Sequence, residues 1–251
     1  SLQLIEAGSA SGAHAVSVPS GGGEQGIANT SANNSAGGLD IGTGSDTVGF
    51  DYATAADAFG IDGFSANLSA SFNSDVAATS GATGTVTLEN SYAVGVTYKT
   101  TAGDSTVTIG AGYNQADYNS QTATKDAAAY HVGATVVTGD LTVGAGYSDG
   151  DWLGTDEQVN GSYAAAGAKY VSGDITFNVG MSSGDAIDES IGAVATSGED
   201  SVDKVSASVD YVIASGVTGT VGYRSEDVND EGTSQTAFSG STWYVGATVS
   251  F

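Results

Sequence analysis

The 251-residue chain has no cysteine, a single proline (Pro19) and only five lysine plus arginine residues against 29 aspartate plus glutamate. Without cysteine there is no disulfide framework and no thiolate metal site. A formal net charge of −24 leaves almost nothing to neutralise a phosphate backbone. That excludes nucleic acid as a partner and suits a surface that attracts cations. No run reaches the roughly 18 apolar residues of a membrane-spanning helix. No secretory leader is visible either, as expected of a mature form. His14 and His131 are the only histidines, and neither sits in a nucleophile elbow, so no catalytic constellation emerges. The "GAGY" segments precede no helix and no basic residue, which argues against a nucleotide loop.

What the chain has instead is alternation with a period of two. Tyr92, Val94, Val96 and Tyr98 share one face, opposite Ala93, Gly95, Thr97 and Lys99. The same pattern recurs through Val107–Tyr113, Tyr130–Val136, Leu141–Tyr147, Ala164–Tyr170, Ile175–Met181, Val205–Tyr211 and Val217–Tyr223. It predicts eleven strands from Thr47 onward and a weaker twelfth at residues 2–7. The apolar faces are rich in Ala and Val, thin in Leu and Ile, and carry Tyr near strand ends. Tyr and Trp suit the level where lipid tails meet headgroups. The opposite faces carry Ser, Thr, Gly, Asn and the basic residues Lys99, Lys169, Lys204 and Arg224. Connections at 101–104, 138–140, 172–174 and 214–216 are short. Those at 73–90, 114–129, 148–161, 182–203 and 225–241 are long and hold most of the acid, which belongs in water. Short turns at one end and long loops at the other describe an up-and-down membrane barrel. The expected fold is therefore all-β: a closed antiparallel transmembrane barrel of about twelve strands in one domain, 1–251, with short periplasmic turns and long acidic extracellular loops.

The last eleven residues, "STWYVGATVSF", place Trp243, Val245, Ala247, Val249 and Phe251 on one face. With the "IGAGY" and "VGAGY" strand endings and "GFDYATAADAFGIDGFSANLSASF", this ending resembles the general porins of Gram-negative outer membranes, particularly the alphaproteobacterial type. The resemblance runs from about Asp46 onward. It implies an outer-membrane location, homotrimers, contact with lipid and lipopolysaccharide, and a C-terminal signal (Trp243, Val245, Ala247, Val249, Phe251) read by the barrel-assembly machinery. Family barrels usually have sixteen strands, so either four N-terminal strands are missing here or the barrel is smaller. The genomic N-terminus would decide between the two.

Residues 8–43 carry no alternation and, by position, resemble the constriction loop that folds into a porin lumen; the bland alternative is a solvated Gly/Ser loop. Glu24 and Asp40 within it, with Asp46 at the following strand, are the candidate selectivity carboxylates, since rings of acid select cations. Asp51, Lys99, His131, Lys169, Lys204, Asp210 and Arg224 are candidate pore-lining residues. A charge facing lipid at the midplane costs about 2–4 kcal/mol, which forces the basic ones inward in a membrane barrel. Asp227, Asn229 and Glu231 match the first half of a calcium loop, but position twelve is Phe238, so loop-bound Ca2+ or Mg2+ is a weak expectation. The reading that follows is a passive channel for small hydrophilic solutes and ions, cation-preferring and not an enzyme. The alternatives are a structural or adhesive barrel with a closed lumen, and a soluble β-solenoid.

Overall fold

The computed structural model describes residues 2–5, 10–21, 48–72, 86–120, 124–153, 157–190, 199–229 and 238–250. They form twelve strands: β1 (Leu2–Ile5), β2 (Val48–Ala53), β3 (Phe64–Phe72), β4 (Val86–Ala102), β5 (Ser105–Ser120), β6 (Thr124–Thr138), β7 (Leu141–Leu153), β8 (Glu157–Ser172), β9 (Ile175–Ser190), β10 (Glu199–Ala214), β11 (Val217–Asn229) and β12 (Phe238–Val249). Each pairs antiparallel with its sequence neighbours in one sheet of order β1 to β12. This strictly consecutive order is not that of a solenoid. Among the described residues β12 pairs only with β11 and β1 only with β2, so the expected closure of the last strand on the first is not among these pairings.

Register gives the sheet its slant. Tyr113 lies opposite Tyr130, and Tyr223 opposite Trp243, across hairpins with long connections. Across hairpins with short turns the row slips by two residues: Tyr113 meets Val94, and Tyr147 meets Val132. The average is about one residue, 3.4 Å, of rise per 4.8 Å step between strands. If the aromatic row lies level, the strands tilt by about 35°, within the range for closed barrels. Gly103, Gly139, Gly173 and Gly216 hold the short turns in left-handed backbone conformations.

Burial is inverted relative to a water-soluble domain. Ser69, Ser71, Asn114, His131, Ser148, Ser182, Ser206 and Ser208 are buried, whereas Tyr92, Ile109, Tyr113, Tyr130, Phe177, Val179, Met181 and Val209 are exposed. One face of every long strand is thus apolar and uncovered. On β10 that apolar stripe runs from Val205 to Ile213. Eight residue steps at that tilt span about 22 Å of height, close to the ~25 Å apolar band of an outer-membrane barrel. Aromatic pairs cap its upper edge: Phe72 with Tyr92, Tyr130 with Tyr147, and Tyr223 with Trp243 at centroid distances of 6.3, 6.2 and 5.0 Å.

The long connections are shorter than the sequence suggests. β7 continues to Leu153, β9 to Ser190 and β11 to Asn229, so Asp149, Asp185, Glu226 and Asp227 sit on strands rather than in loops. Above the aromatic row the outward positions become polar. Hydropathic alternation stops there while backbone pairing continues as ribbons.

An apolar outward face requires an apolar medium. Val179→Arg, at mid-band on the outward face, is expected to lower folding stability in lipid vesicles by about 2–4 kcal/mol, and Thr176→Arg, facing inward beside Asp210, by less than 1 kcal/mol. Urea titration in vesicles reads both.

Candidate functional site

Residues 10–21 cross the inward, polar face of the sheet. Ala10 N donates to Ser69 Oγ on β3 at 3.0 Å, and Gly21 N donates to Ser206 Oγ on β10 at 3.0 Å. Between these ends the strap passes over β4 to β9, so twelve residues bridge eight strands. Seven strand spacings are about 34 Å along the wall, against a reach of about 36 Å for nine extended residues and one 3-10 turn. The strap is nearly taut. It carries a short alternation that its Gly/Ser-rich surroundings hide: His14, Val16 and Val18 are buried, and Ala13 and Ser17 are exposed.

Both histidines of the chain hold the strap's single 3-10 turn, Gly12–His14. His14 Nδ1 lies 2.7 Å from Thr97 Oγ1 on β4. His131, on β6, donates from Nε2 to the Ser11 carbonyl at 2.9 Å. That same carbonyl accepts the His14 backbone N–H at 3.1 Å. His131 Nδ1 and Ser148 Oγ lie on directly opposed residues of β6 and β7, both buried without a protein partner. Polar atoms of this kind fit a wall that water wets.

The remaining inward charges among the described residues fall into two groups. Lys204, Arg224 and Glu226 lie beside the strap's far end, because Arg224 is the cross-strand partner of Ser206 and Lys204 that of Glu226. Arg224 Nη2 is 3.3 Å from Glu226 Oε2, with both side chains largely covered. Nearer the short turns, Asp210 accepts from Asn178 Nδ2 at 2.7 Å and from Thr220 Oγ1 at 2.6 Å. Lys169 is the cross-strand partner of Asn178. Lys99 is exposed near the same edge, and Asp51 lies inward on β2 with Oδ1 buried and unpartnered. Glu24, Asp40, Asp46, Glu231 and Phe251 lie outside the described residues. Asp227 and Asn229 fall on β11, which is paired on both sides, and not in a loop. Trp243, Val245 and Val249 face outward on β12 with Ala247.

Sequence reasoning missed Glu226, Asn178, Thr220 and the anchoring role of His14. The parity of Glu226 with Arg224 carried its signal. The alternation through His14, Val16 and Val18 carried that of the strap.

A profile of Gram-negative porins matches residues 5–232. The chain belongs to the Gram-negative porin family. It is an outer-membrane protein of that family. A comparison with curated proteins finds no match. Among solved structures, this porin is similar to the outer membrane channel DcaP of Acinetobacter baumannii, at 14% identity and a TM-score of 0.59, with 84% of this chain and 65% of that chain covered. It is also similar to OccAB4 of the same organism, at 13% identity and a TM-score of 0.51, covering 84% and 55%. OmpT of Vibrio cholerae, an outer membrane protein solved in a trimer form, gives 16% identity and a TM-score of 0.47, covering 84% and 68%. The porin therefore spans less than two thirds of the length of the first two. The first two likenesses bear on the fold.

The acceptor role of Asp210 is directly testable. Asp210→Ala leaves the Thr220 hydroxyl without its acceptor and the Asn178 amide with only Ser208 Oγ, at 3.2 Å, and is expected to cost about 1–3 kcal/mol in vesicle unfolding, with Asn178→Ala in the same background adding less than it does alone.

Proposed function

We propose that this porin, of alphaproteobacterial type, forms a water-filled channel for passive diffusion of small hydrophilic solutes and ions, in a closed barrel that assembles as a homotrimer. One observation carries the reading: a chain segment is laid across a polar inward wall while the opposite face of the same sheet is apolar and uncovered. A soluble sandwich would pack the apolar faces together. Here the polar side holds the internal segment.

Residues 8–43 act as the constriction loop, with the strap 10–21 as its wall-bound part, Glu24 and Asp40 as its carboxylates and Asp46 adding a third just after it. Asp51, Lys99, His131, Lys169, Lys204, Asp210 and Arg224 line the passage. The described wall is close to charge-balanced: Lys99, Lys169, Lys204 and Arg224 stand against Asp51, Asp210 and Glu226. Cation preference accordingly arises from the acid of the upper connections and the constriction segment, acting at long range. Divalent ions held by that acid bridge it to lipopolysaccharide. The outward face of β12, ending at Phe251, is the signal for the assembly machinery.

Planar-bilayer recordings test this. Under a KCl gradient the reversal potential is expected to take the cation-selective sign, and the preference to shrink as salt rises from 0.1 M to 1 M, where the screening length falls from about 10 Å to about 3 Å. Lys204→Gln is expected to strengthen it. Anion selectivity, or a preference unmoved by salt, removes the electrostatic part of the proposal. Folded protein without conductance removes the channel itself.

A further inference from the structure

Glycine within a strand costs about 0.5–1 kcal/mol relative to alanine and provides no side chain to pack, so a repeated strand glycine needs a reason. On the inward wall these glycines form rows across the sheet. Gly144, Gly167, Gly180 and Ser206 are successive cross-strand partners from β7 to β10. Gly95 is partnered by Gly112, and Gly110 by Gly133, which in turn partners Gly146. The "GAGY" repeats supply several of these positions: their glycines point inward, while the intervening Ala and the Tyr point outward.

The strap lies on these rows. A Cβ at Gly95 would fall on the Ala10 carbonyl oxygen, one at Gly110 on the His14 carbonyl oxygen, and one at Gly167 on the Pro19 carbonyl oxygen. At Gly180 it would come within 2.8 Å of Ser20 Cα, and at Gly144 within 3.1 Å of Pro19 Cδ. Five positions on five strands therefore lack a side chain where strap backbone or proline ring takes its place. Hydrogen bonds to Ser69, Thr97, His131 and Ser206 fix the strap along its length independently of the glycines.

We infer that the inward glycine rows set how deeply the strap seats in the wall and thereby the clear width of the pore, so that these glycines are positioning residues for conduction. The inference rests on the channel reading. To restore ordinary contact near 3.5 Å, a methyl group under the strap must move it toward the lumen by about 1.5 Å at Gly95, Gly110 or Gly167 and by under about 1 Å at Gly180. Tethered at both ends and nearly taut, the strap moves inward and narrows the passage.

The test is single-channel conductance of refolded full-length protein carrying Gly167→Ala or Gly180→Ala. Conductance is expected to fall by on the order of a third in Gly167→Ala and by less in Gly180→Ala, because passage depends on pore diameter. Gly184→Ala is the control, since its Cβ would meet Tyr163 and Ser162 rather than the strap, and it is expected to conduct as the parent. Parent-like conductance in both Gly167→Ala and Gly180→Ala overturns the inference. The double variant Gly21→Cys/Ser206→Cys covers a failure of those proteins to fold. A Cβ at Gly21 would lie 2.9 Å from Ser206 Cβ, and the chain has no other cysteine. A disulfide prefers Cβ atoms about 3.8 Å apart, so a shift of about 1 Å admits it. It is expected to form in folded protein and to leave conductance unchanged on oxidation or reduction. Folded protein that forms no disulfide, or whose conductance jumps on reduction, overturns the seating. A parent that does not conduct, with the disulfide formed, would instead overturn the channel reading.

Discussion

Hydrocarbon offers a backbone amide nothing to bind, and every larger feature of this chain answers that constraint. Antiparallel pairing of each strand with its neighbours satisfies the amides within the sheet. Once they are satisfied, side chains can invert the usual distribution, with Val, Ala and Tyr outward and Ser, Thr and Asn inward. The outward face has no packing partner of its own and therefore needs little Leu or Ile. The inward face has too much polar surface to close on itself, and it accommodates a polar-backboned segment instead.

That segment reconciles two opposing requirements. An irregular stretch of backbone at membrane depth is tolerated only where protein or water surrounds it. The strap meets this by donating to Ser69 and Ser206, by accepting from His131, and by lying against glycines that let its carbonyls come close. Placing both histidines at one turn joins residues 117 apart in the chain, which the sheet alone would not bring together. The charge pairs respect the same division: Glu226 is covered because Arg224 and Lys204 stand beside it, while Asp227, one residue on, points outward above the apolar band.

Much of the fold was legible because a period of two survives any detail of tertiary structure. The parity of Lys99, Lys169, Lys204 and Arg224 followed from the alternation around them. Strand ends were less legible. Hydropathy marks where lipid stops, not where pairing stops, so Glu226 and Asp227 read as loop although they are strand. The strap was harder still. Its alternation covers only His14 to Val18, and its partners Ser69, Thr97, His131 and Ser206 are ordinary wall residues with no local mark. The inward glycines of "GAGY" were the available signal, but they read as filler until something lies over them.

Sequence separation in this molecule has two scales. Among the described residues sheet pairing joins each strand only to the one before and the one after, so it can grow hairpin by hairpin. The link from Gly21 to Ser206 spans 185 residues and needs β10 in place. Loop-closure entropy makes so distant a union costly until the intervening strands have drawn its ends together. The strap therefore finds its seat only after the sheet from β3 to β10 is nearly built, and it is the last piece of the wall to be hung.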